Sequence, residues 1–534
     1  MSDWVQRGLV TPQQRGQMYS GALLQAVGAP QQTPLSDWLA TQRAQAAQQG
    51  LYDPATGLPT SQGLLQAGRQ YAGALVAGST APEFRALPGL RTAGITAGAE
   101  DRISTRIPTA QRAEYPSGDP HKTADYSIDT ASSRAAEEAH ANNAAAMRSD
   151  DFPDLPVKGI RSSDRIVDTA QSHMIENLKW LHQQMVDKFG QAAVDRMAQW
   201  YDGANAVAHR WAEEYGYQPR QVAAAIANMS PQKEWNQNAN LAGRMLGILR
   251  DQRNAATTPE MNDWAKGYLD QVRAEADNPK KQAAADELAM GVNAIRNRRF
   301  NEINDPETRA LWLRAYDEAH NPRDYPLVTP EGDFGETALT DKGVPQKVAW
   351  GSFKEIEKAM RVLEGDGSLE AISRSLGGNH KVRSFYNNII APMHGDDVTI
   401  DTHAIAAAHL RPLSGNDVPV ELGLGLKGSK SAFTGTKGNY GYYADAYRRA
   451  AEDLKLLPRQ LQSITWEGVR GLFSPELKRD TSFWNQNWYL WDAYKHGRTP
   501  DADQVRQSVL NHAGGIDAPP WLPQPKIAPE APTE

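Results

Sequence analysis

Apolar side chains in this 534-residue chain return at three- and four-residue steps, a rhythm that commits it to helices. Ile175, Leu178, Leu181, Met185 and Phe189 trace one face of a helix whose pattern begins near Ile166. Val194, Met197 and Tyr201 continue it, and Ala206 to Tyr215 repeats it around Trp211. Residues 218–249 read as two helices divided at Ser230-Pro231. Residues 251–310 are charged and helix-prone, with a break at Asn278-Pro279, and 321–347 is rich in turn formers. Helical patterns resume at 348–363, 442–456 and 465–477. Strand-like alternation is nearly absent. The expected fold class is all-α.

Residues 1–150 lack this rhythm. They are rich in Ala, Gln, Gly, Pro, Ser and Thr, with short helical patterns at 35–49 and 134–147. So little large apolar surface does not offset the entropy of ordering, so a low-complexity leader is expected, partly disordered or ordered on assembly. The rest divides into the first part of a helical core at 160–250, an insertion at 251–340, and a second core part at 341–499. A tail at 500–534 holds seven prolines.

Composition removes several chemistries. With no cysteine, the chain makes no disulfide, no thiolate zinc site and no cysteine-ligated iron–sulfur cluster. No stretch is apolar for long enough to cross a bilayer, and the start, MSDWVQRGLV, lacks a secretory pattern, so no membrane partner is expected. The net charge of −7 runs against nucleic-acid binding in bulk. Its cations nevertheless cluster: Arg296, Arg298 and Arg299; Arg374, His380, Lys381 and Arg383; Lys427, Lys430 and Lys437 in a glycine-rich loop; and Arg448-Arg449. Each cluster alone reads as a solvated face, but a focused patch is all that phosphate binding needs.

The chemistry concentrates in SLGGNHKVRSFYNNIIAPMHGDDVTIDTHAIAAAHL, residues 375–410. The small-residue turn Gly377-Gly378-Asn379 leads into a helix whose first turn carries Lys381. A β-prone run, Val398-Thr399-Ile400, then presents Asp401 before another helical pattern. A helix start leaves backbone N–H groups unpaired and suits a phosphate. An amine and a carboxylate beside that phosphate are the parts required for amine attack on a sugar carbon.

This segment resembles the helix-hairpin-helix and following loop of the endonuclease III-like DNA glycosylases. Gly377 and Lys381 fit the hairpin, and Ile400-Asp401-Thr402-His403 fits the V-D-T-H-like sequence after it. Asn379 replaces the second hairpin glycine, Leu376 the hairpin proline, and Lys381-Val382-Arg383 the usual Lys-Thr-Ala. Upstream, IANMSPQKEWNQNA at 226–239 resembles the family's S-x-Q turn, with Ser230, Gln232 and Asn238 at the matching positions.

The resemblance implies a glycosylase-like helical core acting on double-stranded DNA, from a branch without an iron–sulfur cluster. It gives Lys381 the role of nucleophile and Asp401 that of stabilising charge on the sugar or handling the lysine's proton. Gln232 fills the space of an extruded base. Gly377, Gly378, Asn379 and His380 hold phosphate through backbone N–H groups, and Ser230, Asn238, Arg383 and His403 complete the DNA-binding set. Arg383 is the cation expected to favour a neutral Lys381. The resemblance requires no cofactor; an alkali ion held by hairpin carbonyls is consistent with it. His380, Asp401, His403 and His409 invite a metal reading, but His403 and His409, six apart, face different sides of a helix.

Local readings stand beside these. Ser230 reads as a helix cap with Pro231 at the first position, and Asp401-Thr402 as the cap of the next helix. A lysine at a helix start is usually exposed and idle. Trp466, Trp484, Trp488 and Trp491, with Phe483 and Tyr489, read as core or protein contacts. Tyr440, Tyr442 and Tyr443 are the expected nucleic-acid contacts, beside the lysine-bearing loop. QLQSITWE at 460–467, followed by Arg470, resembles a segment that accompanies this hairpin in uncharacterised phage proteins. The leader resembles those of bacteriophage structural and co-packaged proteins. It points to virion proteins as partners of residues 1–150 and to host cytoplasm or the virion as location. The alternative to a glycosylase is a virion or DNA-binding protein that keeps the fold without catalysis.

Overall fold

The structure, a computed structural model, describes residues 52–53, 58–59, 152, 155–340, 342–377, 380–424, 439–499 and 501–522. Most of the leader therefore lies outside the described residues, as do Gly378, Asn379 and the loop lysines Lys427, Lys430 and Lys437. Within it, β1 (Tyr52–Asp53) and β2 (Leu58–Pro59) pair antiparallel.

From residue 152 on, the described chain is helical around two hydrophobic cores. The first core is built from α3 (Trp200–Tyr215), α4 (Pro219–Asn228), α5 (Trp235–Asp251), α6 (Pro259–Ala274), α7 (Pro279–Ile295), α8 (Pro306–His320), α9 (Phe353–Glu364), α10 (Leu369–Leu376) and α11 (His380–Ile390). The second is built from α1 (Ser163–Phe189), α2 (Gln191–Met197), α12 (Thr402–His409), α13 (Val418–Leu424), α14 (Tyr440–Leu454) and α15 (Pro458–Leu472). The short α16 (Pro475–Arg479) leads to α17 (Thr481–Lys495) and α18 (Ala502–His512), which also pack there.

Of the five residues whose spacing predicted the long first helix, Ile175, Leu178, Leu181 and Met185 are buried and Phe189 is partly so. Met174, Leu178, Leu181 and Met185 are fully enclosed where α1 packs on α12, α14 and α15. Helix starts follow local chemistry. Thr258, Asn278, Asp305, Ser352 and Asp480 each accept a backbone N–H from the first turn of the helix they precede, and proline follows directly at 259, 279 and 306.

The expected insertion is no loose appendage. Its helices α6 to α8 pack on one another, and α8 rests on α5 and α9. Trp312 is fully buried and donates Nε1 to Thr257 Oγ1 at 3.0 Å. The turn-rich stretch holds an antiparallel hairpin of β3 (Pro326–Val328) and β4 (Phe334–Thr337). Its turn docks on α3 where glycine meets glycine: a Cβ on Gly203 would stand 2.2 Å from Pro330 O and 2.6 Å from Gly332 N. Arg196 clamps the same turn through Glu331, Nε to Oε1 at 2.7 Å.

Three expectations are corrected. The 500–534 segment is not wholly a tail: Val505 and Val509 of α18, and Ile516 beyond it, are buried in the second core, because their spacing gives α18 an apolar face. Ser230 caps no helix; α5 starts four residues later, after Glu234. Tyr440, Tyr442 and Tyr443 are each 2% exposed and belong to the core, where the hydroxyls of Tyr440 and Tyr443 bond Val398 O and His409.

Candidate functional site

The two cores meet where α11 of the first faces the N-terminus of α12 in the second, and this brings Lys381 and Asp401 into one place. Asp401 is the N-cap of α12, accepting Ala404 N–H at 2.8 Å. The capping role fixes the carboxylate, and its other oxygen faces His403 Nδ1 at 3.8 Å. Burial pulls the Asp401 carboxyl up, but His403, the Lys381 charge and the Ala404 N–H together hold it below its usual range. It is a carboxylate at neutral pH.

Lys381 is half-buried and donates Nζ to the Ser230 carbonyl at 3.2 Å. Burial holds its ammonium below the usual lysine range, against the opposing charges of Asp401 and Glu355. Arg383 is not the cause. Its guanidinium folds into the hairpin and donates to Gly377 O at 2.8 Å and Ser373 O at 3.1 Å, leaving it 7% exposed. It staples α10 to α11 through the carbonyls that Gly377, at φ 65°, turns toward it. His380 is likewise interior, stacked on Tyr440 with ring centroids 5.2 Å apart.

The acceptor of the Lys381 bond comes from a β-turn. Lys233 N–H bonds Ser230 O at 3.2 Å, Pro231 takes the second position, and Gln232 the third at φ 57°. A left-handed glutamine is strained, on the order of 1–2 kcal/mol, and this one is also exposed. Strained, exposed, polar residues concentrate where a protein meets a ligand. Asn238 does not share that exposure: it is 1% exposed on α5, its amide makes no hydrogen bond among the described residues, and it touches no outer surface.

Residues with no role legible in the sequence complete the surroundings. Behind Asp401, Tyr201 donates to Gln462 Oε1 at 2.8 Å and Tyr447 to Ala404 O at 3.1 Å, while Asn388 reaches Thr399 Oγ1 at 3.0 Å. Glu467 is 2% exposed and accepts Trp200 Nε1 at 3.0 Å and Trp521 Nε1 at 2.7 Å on one oxygen. Gln462, Thr465 and Glu467 all lie in the 460–467 run, which thus supplies the polar floor under α12. A cavity of about 160 Å³ opens beside His403, lined by Glu234, Arg470, Lys478 and residues 517–520 among others. Arg470 is committed there, bonded to Glu234 Oε2 at 3.2 Å and lying 4.4 Å from the Trp466 ring centroid.

No group of three or more His, Asp or Glu that could hold a metal ion occurs among the described residues, and none of their helices is long and apolar enough to cross a membrane.

The chain is similar to a family of unknown function (DUF7178) over residues 168–268 and 338–472. The matched stretches carry Ser230, Gln232, Lys381, Asp401 and Glu467; the unmatched 269–337 falls inside the expected insertion. No curated protein matches the chain. No solved structure matches it.

Proposed function

We propose that the protein removes a modified or damaged base from duplex DNA, with Lys381 as nucleophile and Asp401 as its partner, and cleaves the strand at the resulting site. The carrying observation is the meeting of Lys381 and Asp401 between the two cores, with the amine held toward neutrality and the carboxylate held ionised. A neutral amine donates one N–H to Ser230 O and keeps its lone pair for attack. The target nucleotide must first leave the stack, because its sugar carbon is otherwise shielded. Lys381 Nζ then bonds C1′ as the base leaves with the bonding electrons and takes a proton from water; Asp401 stabilises the positive charge on the sugar, accepts a proton from the substituted amine and returns it to O4′ as the ring opens. Ring opening gives an imine between Lys381 and C1′. Gln232, exposed at the third position of its turn, is the residue that would enter the gap left by the base.

The test is borohydride reduction in the presence of duplexes carrying uracil, oxidised pyrimidines or an abasic site. The expected result is a covalent protein–DNA adduct that Lys381→Ala abolishes while duplex binding persists. An adduct unchanged in Lys381→Ala overturns the assignment of Lys381. Duplex binding with neither an adduct nor base release from the unaltered protein selects the alternative of a DNA-binding protein without catalysis.

A further inference from the structure

The lyase half of the proposed reaction needs a base that Lys381, once bonded to the sugar, can no longer supply. We propose that Lys478 is this base, removing a proton from C2′ of the sugar held by Lys381. The inference rests on the proposed function and adds a residue to it.

Lys478 sits on α16 and lines the cavity beside His403, two residues from Asp401 in sequence. Its side chain makes no hydrogen bond or ion pair among the described residues. Apart from Asp517, whose carboxylate is exposed to solvent, every other ionisable group around that opening is committed. Arg470 is bonded to Glu234, and a guanidinium gives up no proton in any case. Glu467 holds two indole N–H groups on one oxygen, with Arg470 Nη1 at 4.0 Å from the other. His403 faces Asp401, and Asp401 itself caps α12. A carboxylate held below its usual range is moreover a poor acceptor for a carbon-bound proton. Burial, helped by the Arg470 charge and opposed by Glu234 and Asp401, moves Lys478 the other way for an amine, toward the neutral form that accepts a proton. The cavity is close to the ~150 Å³ that admits one benzene ring, so a single ring fits and a base pair does not.

The step balances. The Lys478 lone pair takes the C2′ proton, the C–H electrons form the C1′–C2′ bond of an enamine, and the nitrogen lone pair then expels the 3′ oxygen as a phosphate monoester. The products are a 3′ unsaturated aldehyde, after water releases Lys381, and a 5′-phosphorylated end. Lys478 carries one extra proton, which it returns to solvent.

Abasic duplex separates the two lysines. For Lys478→Met and Lys478→Arg, the borohydride adduct through Lys381 is expected to stay within about twofold of the unaltered protein, while strand cleavage falls roughly 10²-fold, the usual worth of a general base. Arginine keeps the charge and the donors but not the lone pair, so it should not rescue. Cleavage near the unaltered level in Lys478→Met, rescue by Lys478→Arg, or adduct and cleavage falling together would each overturn the proposal. Absence of an adduct from the unaltered protein sinks Lys381 as nucleophile and this step with it, a pattern distinct from an adduct whose cleavage ignores Lys478.

Discussion

Lys381 on α11 and Ser230 in the turn before α5 are joined by a 3.2 Å hydrogen bond from Nζ to a backbone carbonyl. The turn's geometry and the lysine's position therefore depend on each other, and the lysine's charge acts on Asp401 at the cap of α12.

Asp401 serves as cap and as charge, and two substitutions separate these duties. Asparagine caps about as well as aspartate, whereas alanine costs about 1 kcal/mol. Asp401→Asn should therefore melt close to the unaltered protein and Asp401→Ala several degrees lower. Both should lose adduct formation, by roughly 10²-fold if the charge acts as an electrostatic stabiliser. A fully active Asn variant would remove the carboxylate from the mechanism.

Gln232 holds φ 57°, which glycine adopts without strain. Gln232→Gly should leave stability unchanged or higher by up to about 1 kcal/mol, since relief of strain opposes added entropy in the unfolded chain. The same variant should weaken the fluorescence rise of 2-aminopurine placed beside the target base. A clear loss of stability would mean that the glutamine side chain supports the turn.

Glycines at two positions should respond with opposite signs. Gly203→Ala drives a Cβ into the backbone of residues 330–332 and should cost about 1–3 kcal/mol in denaturant unfolding. Gly267, exposed on α6 with nothing within 4 Å, should gain 0.5–1 kcal/mol (about the Gly-to-Ala difference in a helix) when made alanine. A tolerated Gly203→Ala would show that the β3–β4 turn is not seated on α3.

Burial raises Asp202 and Asp397 to about 6 from 3.8, with Asp396 adding to the effect at Asp397. Between 3.8 and about 6 the folded chain holds protons that the unfolded chain has released. Their contribution to stability is therefore full below that window, falls as pH rises through it and stays low above it. Asp397→Asn should flatten the slope over this window and raise stability at pH 7, at about 1.4 kcal/mol per unit of separation. Stability that rises across the window in the unaltered protein and is steepened by the substitution would reverse the sign.

Much of the fold was legible because helices declare themselves locally. The steps from Ile175 to Phe189, the break at Asn278-Pro279 and the Asp401-Thr402 cap are near-neighbour effects, and each appears where expected. Burial was less legible. Tyr440, Tyr442 and Tyr443 looked like surface contacts because glycine and lysine precede them, yet all three are buried, and the hydroxyls of Tyr440 and Tyr443 find partners inside. Arg383 looked like a phosphate ligand until Gly377 and Ser373 were seen to occupy it.

The sequence by itself determined that the chain is helical, that cysteine chemistry is absent, and that Lys381 and Asp401 stand at the starts of two helices. Spacing and local backbone preference suffice for these. Only the tertiary structure decided that α11 and α12 come from different cores, that Ser230 offers a carbonyl rather than a cap, and that Glu467, Arg470 and Lys478 gather beside His403. Those facts depend on contacts between residues as much as 267 positions apart, such as Trp200 and Glu467. Such contacts follow from how buried faces pack, and no local pattern records them.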